Sequence, residues 1–167
     1  MQTVMAREIE HKYLVRNGSW RRAVQGTPYR QGYLSLDPER SVRVRLGGGK
    51  AFLTVKGKSE GPARDEFEYP IPVADAEHML EALCIQPLIE KTRYTIAHGT
   101  LKWEVDEFAG ENEGLTIAEV EIEHEGQEIA KPGWVGEDVT AISGISTSTW
   151  CGILIRNGRG AGRWHTA

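Results

Sequence analysis

From Arg7 to Ile122 the chain repeatedly alternates apolar and polar residues over stretches of four to eight positions, and Gly, Pro, Asp and Asn separate the stretches. Period-two alternation puts successive side chains on opposite faces of a strand, so the pattern predicts a mainly antiparallel β domain. Strands are expected near residues 6–15, 29–36, 41–47, 50–58, 64–71, 90–97, 100–108 and 115–125. The run Gly47-Gly48-Gly49-Lys50 falls between two of them and reads as a hairpin turn. A phosphate-binding loop would lead into a helix, whereas Phe52, Leu53 and Val55 continue as a strand. One clear helix is expected from Val73 or Ala74 to Leu83, with Met79, Leu80 and Leu83 as its apolar stripe and Asp75 and Glu77 near its positive end. Ser19 to Val24 predicts a shorter one.

Charge adds a second pattern. Glu8, Glu10 and Lys12 step by two, as do Arg43 and Arg45, Lys56 and Lys58, Glu66 and Glu68, Lys91 and Arg93, Glu104 and Asp106, and Glu119, Glu121 and Glu123. Each strand therefore has a charged face, with Ile9, Val42, Val44, Val55, Tyr69, Trp103, Val105 and Ile122 among the residues of the apolar one. A sheet with its charges in water accounts for alternation alone. It does not account for the grouping by sign, because neighbouring like charges repel unless something compensates them. Closing the strands into a barrel with the charged faces inward gives both groups a partner: a polyanion carrying its own divalent cation. Guanidinium groups bind phosphate oxygens bidentately, and hard Mg²⁺ or Mn²⁺ prefers carboxylate and water oxygens while leaving coordination sites for phosphate.

The chain has 167 residues, 40% of them apolar, which is enough for one domain and one core. A net charge of −4 provides no overall positive field for coating nucleic acid. No apolar run approaches the length of a spanning helix and the amino end lacks a signal-peptide layout, so no membrane partner and a cytoplasmic location are expected. Cys84 and Cys151 are too few for a disulfide framework and lack zinc-site spacing. His11 alternates away from Glu10 and Lys12, and the other histidines share no ligand spacing.

At Glu8-Ile9-Glu10-His11-Lys12 the sequence resembles the E-x-E-x-K opening of the CYTH family, the triphosphate tunnel metalloenzymes. The likeness continues in order at Gln31-Gly32-Tyr33-Leu34, Val42-Arg43-Val44-Arg45, Thr54-Val55-Lys56, Lys91-Thr92-Arg93-Tyr94, Trp103 to Gly110, and Ala118-Glu119-Val120-Glu121. The resemblance implies an eight-stranded antiparallel closed barrel with a few short flanking helices, whose polar tunnel binds a triphosphate with Mg²⁺ or Mn²⁺. Motif by motif, it implies Glu8, Glu10, Glu119 and Glu121 as metal-side carboxylates, with Asp106 tuning or supplementing them. Arg43, Arg45, Lys56, Lys91 and Arg93 correspond to the phosphate path. Lys12 and Tyr33 resemble the pair associated with water activation in small bacterial members, a role that needs a lowered lysine pKa.

The tunnel domain is expected over 1–140, followed by an atypical tail over 141–167 that is no separate domain. Small family members usually continue with a helical Gly-Asp-x-Arg-Tyr-x-Asn segment, where this chain has Ala141 to Thr147. With suitable codons, deleting the third base of the Thr140 codon from a frame encoding Thr-Gly-Asp-Gln-Arg-Tyr-Phe-Asn-Leu-Tyr-Leu-Val-Arg yields the chain from Thr140 to Gly152. A frameshifted tail is therefore expected, the alternative being an RNA-contacting tail built on Arg156 to Arg163 and Trp164.

The function expected is metal-dependent hydrolysis of inorganic triphosphate or a related nucleoside or thiamine triphosphate. An adenylyl cyclase and a thiamine triphosphatase are the alternatives within the fold, and a noncatalytic module binding polyphosphate or a nucleotide is the alternative of another class. The two short helices are too little to cover an apolar outer wall, so a homodimer packed through that wall is expected.

Overall fold

Short connections join most, but not all, successive strands into neighbours. The computed structural model describes residues 7–140 and holds β1 (Arg7–Val15), β2 (Thr27–Ser35), β3 (Arg40–Gly47), β4 (Lys50–Gly57), β5 (Ala63–Ile71), α1 (Val73–Ala82), β6 (Ile85–His98), β7 (Leu101–Phe108), β8 (Thr116–Glu121) and β9 (Val135–Asp138). Ser19–Ala23 forms a 3₁₀ turn of helix. The expected tail over 141–167 lies outside the described residues. Gly47 pairs with Lys50, leaving Gly48 and Gly49 as a two-residue turn with φ of 59° and 72°. Both central residues of this tight hairpin need a positive φ, which glycine adopts without steric cost.

Antiparallel neighbours run in the order β5-β4-β3-β2-β6-β7-β8-β1, and β1 then pairs back onto β5 to close the barrel. One edge of β1 is divided between two strands. Its first residues, Arg7 to Ile9, pair with β5, while Tyr13 and Val15 pair with β9. The other edge pairs with β8 from Glu10 to Leu14. Directly opposed residues share a face, so the registers Arg43↔Thr54, Thr54↔Glu68, Lys56↔Glu66, Arg93↔Asp106, Glu104↔Glu119 and Lys12↔Glu119 bring the charged positions to one side. That side is the interior, where Arg43, Lys56, Lys91 and Asp106 are buried.

Two strands depart from the alternation pattern. β6 begins at Ile85 rather than near residue 90, with Pro87 inside it. Its register against β2 shifts between Gln31↔Ile89 and Tyr33↔Ile85, an irregularity where a residue without an N–H is tolerated. β9 is four residues long, too short for alternation to reveal.

The apolar faces point outward and are covered by the chain itself. α1 lays Ala76 and Leu80, one helical turn apart, on Val44 and Ala51 of the sheet, with Cys84 beside them. Leu83 is not part of this stripe: it follows the last helical residue and is exposed. Around the other wall, Ile9, Trp103, Val105, Val120 and Ile122 pack under Trp20 of the 3₁₀ turn and under Trp134 and Val135. Trp134 meets Trp103 edge-on at 5.7 Å. The cover is pinned by backbone bonds from Arg16 N–H to Trp134 O (2.9 Å) and from Val139 N–H to Lys12 O (2.8 Å). The expectation that short helices alone would leave the wall bare is thus corrected, because the segment after β8 supplies a third piece of cover. What remains uncovered is a strip on β3–β5, where Val42 and Val55 are half-buried and Tyr69 is 54% exposed.

Leu80→Ala should destabilise the barrel by about 2–5 kcal/mol, the usual cost of truncating a fully buried leucine, read as a lower urea midpoint with an unchanged slope.

Candidate active site

Glu8, Glu10, Arg43, Arg45, Glu66, Glu68, Arg93, Lys102, Glu104, Glu119 and Glu121 line a cavity of about 220 Å³ within the barrel. Seven of the expected site residues are in this lining. Lys12, Tyr33, Lys56, Lys91 and Asp106 are not, and each has a specific position instead.

Asp106 is 1% exposed, and both its oxygens are occupied. Oδ1 accepts from Arg93 Nε at 2.7 Å, and Oδ2 accepts from Arg93 Nη2 and Lys91 Nζ, each at 2.6 Å. Two cations thus hold its carboxyl below the ordinary range against the opposing effect of burial. This carboxylate stands behind the lining and fixes Arg93, whose Nη2 also reaches Glu119 at 2.9 Å and whose Nη1 reaches Glu104. Burial lowers the Lys91 ammonium to about 8, with Arg93 adding to the fall and Asp106 opposing it.

Lys12 Nζ lies 2.5 Å from both Glu10 and Glu119. Burial lowers its pKa, but the two carboxylates outweigh burial and raise it above the ordinary lysine value. In this geometry Lys12 is a cation clamped between two carboxylates, without the lowered pKa that a base role needs. Tyr33 is buried with Ile89, Leu36 and Phe108 and stands opposite Arg43, on the interior face of β2. Lys56 bridges Glu8 (3.1 Å) and Glu66 (2.6 Å).

Alternation also displayed residues to which no role was attached. On β5, Arg64, Glu66 and Glu68 step by two into the same interior. Arg64 Nε donates to Glu8 at 3.2 Å, and Glu68 accepts two bonds from Arg45 Nη2 at 3.0 and 3.1 Å. Lys102 and Glu104 join the lining from β7.

The cavity's charges are divided. Arg45 has its pKa lowered by burial and then by Arg43 and Arg93, with Glu68 opposing. Cations crowd one another there. Glu121 has its pKa raised by burial and then by Glu8, Glu10 and Glu104, with Lys102 opposing. Carboxylates crowd one another there. The two regions belong to one cavity, so it offers donors to an anion and hard oxygen donors to a cation side by side. Among the described residues no three carboxylate, imidazole or thiol groups converge, as they stand, into a ready-made metal site. The donors nonetheless fit a hard divalent ion in kind, and the excess negative charge at Glu121 fits it in sign.

An antiparallel barrel with a divided, charged interior defines the class of the protein. The CYTH domain profile matches residues 6–149, and the chain belongs to that family. It is 49% identical over 136 residues to the inorganic triphosphatase of Acetivibrio thermocellus, a match spanning 81% of this chain and 87% of that one. The crystal structure of the inorganic triphosphatase NE1496 superposes with a TM-score of 0.60 at 32% identity, covering 90% of this chain and 95% of the other. A conserved hypothetical protein from Pyrococcus furiosus shares the fold at 18% identity and a TM-score of 0.56, covering 71% and 80% of the two chains.

Glu121 yields a pH test. Its folded pKa lies above the ordinary carboxyl value, so the native state holds the proton more tightly than the unfolded chain does. The resulting penalty is absent below the ordinary value of 4.5 and complete above the raised one. Glu121→Gln should therefore raise the metal-free melting temperature at neutral pH, with the advantage vanishing below about pH 4.

Proposed function

We propose that this chain is a divalent-metal-dependent hydrolase that cleaves the terminal phosphoanhydride of inorganic triphosphate inside the barrel. The division of one cavity into a cation-crowded and a carboxylate-crowded region carries this reading, because a metal triphosphate presents the complementary charges in the same order. The 49% identical relative named an inorganic triphosphatase supports it.

Arg43, Arg45 and Arg93 bind the phosphate oxygens, with Glu68 and Asp106 holding the guanidinium groups in orientation before substrate arrives. Lys56 and Lys91 add positive charge from behind the lining. Glu8, Glu10, Glu119 and Glu121 would hold Mg²⁺ or Mn²⁺ through carboxylate oxygens. When bound, the ion supplies Lewis acidity to the phosphoryl oxygens and a water of lowered pKa. To accept it, Glu10 and Glu119 turn from Lys12, which stays charged and follows the phosphate. Water adds to the terminal phosphorus, the bridging P–O bond breaks, and phosphate and pyrophosphate leave. Such a reaction needs positioning and charge compensation and no covalent nucleophile, which is what these side chains provide.

A cytoplasmic location belongs to the same proposal; among the described residues no helix is long and apolar enough to cross a membrane. A homodimer is proposed only through the Val42, Val55 and Tyr69 strip left by the chain's own cover.

Ion chromatography after incubation with Mg²⁺ or Mn²⁺ should show inorganic triphosphate converted to pyrophosphate and phosphate. Cyclic AMP from ATP would instead mark a cyclase, thiamine diphosphate from thiamine triphosphate a thiamine triphosphatase, and binding without turnover a noncatalytic module. Arg43→Ala should weaken triphosphate binding by roughly 1.5–3 kcal/mol, the worth of a charge-assisted bond. Light scattering at micromolar concentration should give twice the chain mass; a stable monomer removes the dimer.

A further inference from the structure

Among the described residues Gln31 is the buried side-chain amide whose two polar atoms both lack partners. It is 0% exposed, and neither its Nε2 nor its Oε1 has a hydrogen-bond partner. It stands on β2 opposite Arg45 of β3 and Ile89 of β6. Because opposed residues share a face, Gln31 faces the interior with Arg45. The neighbouring inward positions across the two pairings are Arg43, opposite Tyr33, and Lys91, opposite Tyr29. Two further buried donors in this group also lack partners, Arg43 Nε and Arg45 Nε.

A buried carboxamide without partners is costly, whereas an apolar side chain of the same length would fill the space without that cost. The orphan atoms are explained when a ligand supplies their partners. Three unpartnered N–H donors, on Gln31, Arg43 and Arg45, call for an anion rich in acceptor oxygens. Resting on the triphosphatase reading, we infer that Gln31 is a further substrate-binding residue, donating from Nε2 to a phosphoryl oxygen of the triphosphate held by Arg43 and Arg45. Its neutral amide adds a directed bond without adding to the repulsion among the neighbouring cations, and its Oε1 accepts from water that enters with the substrate.

Gln31→Met keeps the volume and removes both polar atoms, and Gln31→Glu keeps the shape but sets a carboxylate against the anion. Calorimetric binding of inorganic triphosphate to the full chain without divalent metal, paired with thermal denaturation, tests the assignment, with Arg43→Ala as reference. Gln31→Met should lose roughly tenfold to hundredfold in affinity while its melting temperature holds or rises, and its KM should rise with kcat little changed. Gln31→Glu should lose more, and it decides the question on the same scale if Gln31→Met does not fold. If Arg43→Ala weakens binding while both Gln31 variants bind like wild type, internal water serves the carboxamide; this inference falls and the triphosphatase reading stands. A wild-type chain that binds no triphosphate overturns both.

Discussion

Charge buried inside a protein must be compensated locally, and that requirement organises this barrel. Removing a carboxylate or an ammonium from water costs several kcal/mol even after relaxation, so the interior charges can coexist only in contact with opposites. The antiparallel registers provide the contacts: Lys12 opposite Glu119, Lys56 opposite Glu66, Arg93 opposite Asp106. Such pairs are weak sources of stability, and breaking one leaves a buried charge uncompensated. Their consequence is orientation, since each cation reaches the cavity from a fixed carboxylate support. Compensation is incomplete at two places, around Arg45 and around Glu121, and on the proposed function those are the places where a metal triphosphate would complete it.

Turning the charged faces inward obliges the apolar faces to point outward, which inverts the usual arrangement of a small antiparallel barrel. The chain meets this with three separate covers: α1 over β3 and β4, Trp20 beside Tyr94, and the segment carrying Trp134 over β7 and β8. Burial of Leu80, Trp103 and Val120 on that outer side supplies the hydrophobic stabilisation that the tunnel cannot. Stability and chemistry are thereby assigned to opposite faces of the same strands.

Much of this was legible in the sequence because a period of two is a direct record of which face a side chain occupies. The eight barrel strands, the Gly48-Gly49 turn and the shared face of the charges follow from it, while the grouping of those charges by sign pointed that face inward. Pro87 hid the start of β6, since proline usually argues against strand and is admitted here only by an irregular register. β9 was too short to show a period, and the aromatic cover it brings depends on a contact between Trp103 and Trp134 that local pattern does not encode. At the site, motif position located Asp106, Lys12 and Tyr33 but not their partners. The state of Lys12 depends on Glu119, distant in the chain, and the role of Asp106 depends on both its oxygens being occupied. Arg64, Glu66 and Glu68 were visible in the alternation; only their contacts, Arg64 with Glu8 across the closing β1–β5 pairing, Glu66 with Lys56 and Glu68 with Arg45, showed what they support.

The central claim is that one cavity separates an anion-binding region from a cation-binding region. Anomalous scattering from Mn²⁺, in crystals grown with a nonhydrolysable triphosphate mimic, tests it most directly. The account predicts a manganese peak among Glu8, Glu10, Glu119 and Glu121, with the phosphate groups against Arg43, Arg45 and Arg93. A peak beside Glu66 and Glu68, or phosphates bound on the outer wall, would contradict it.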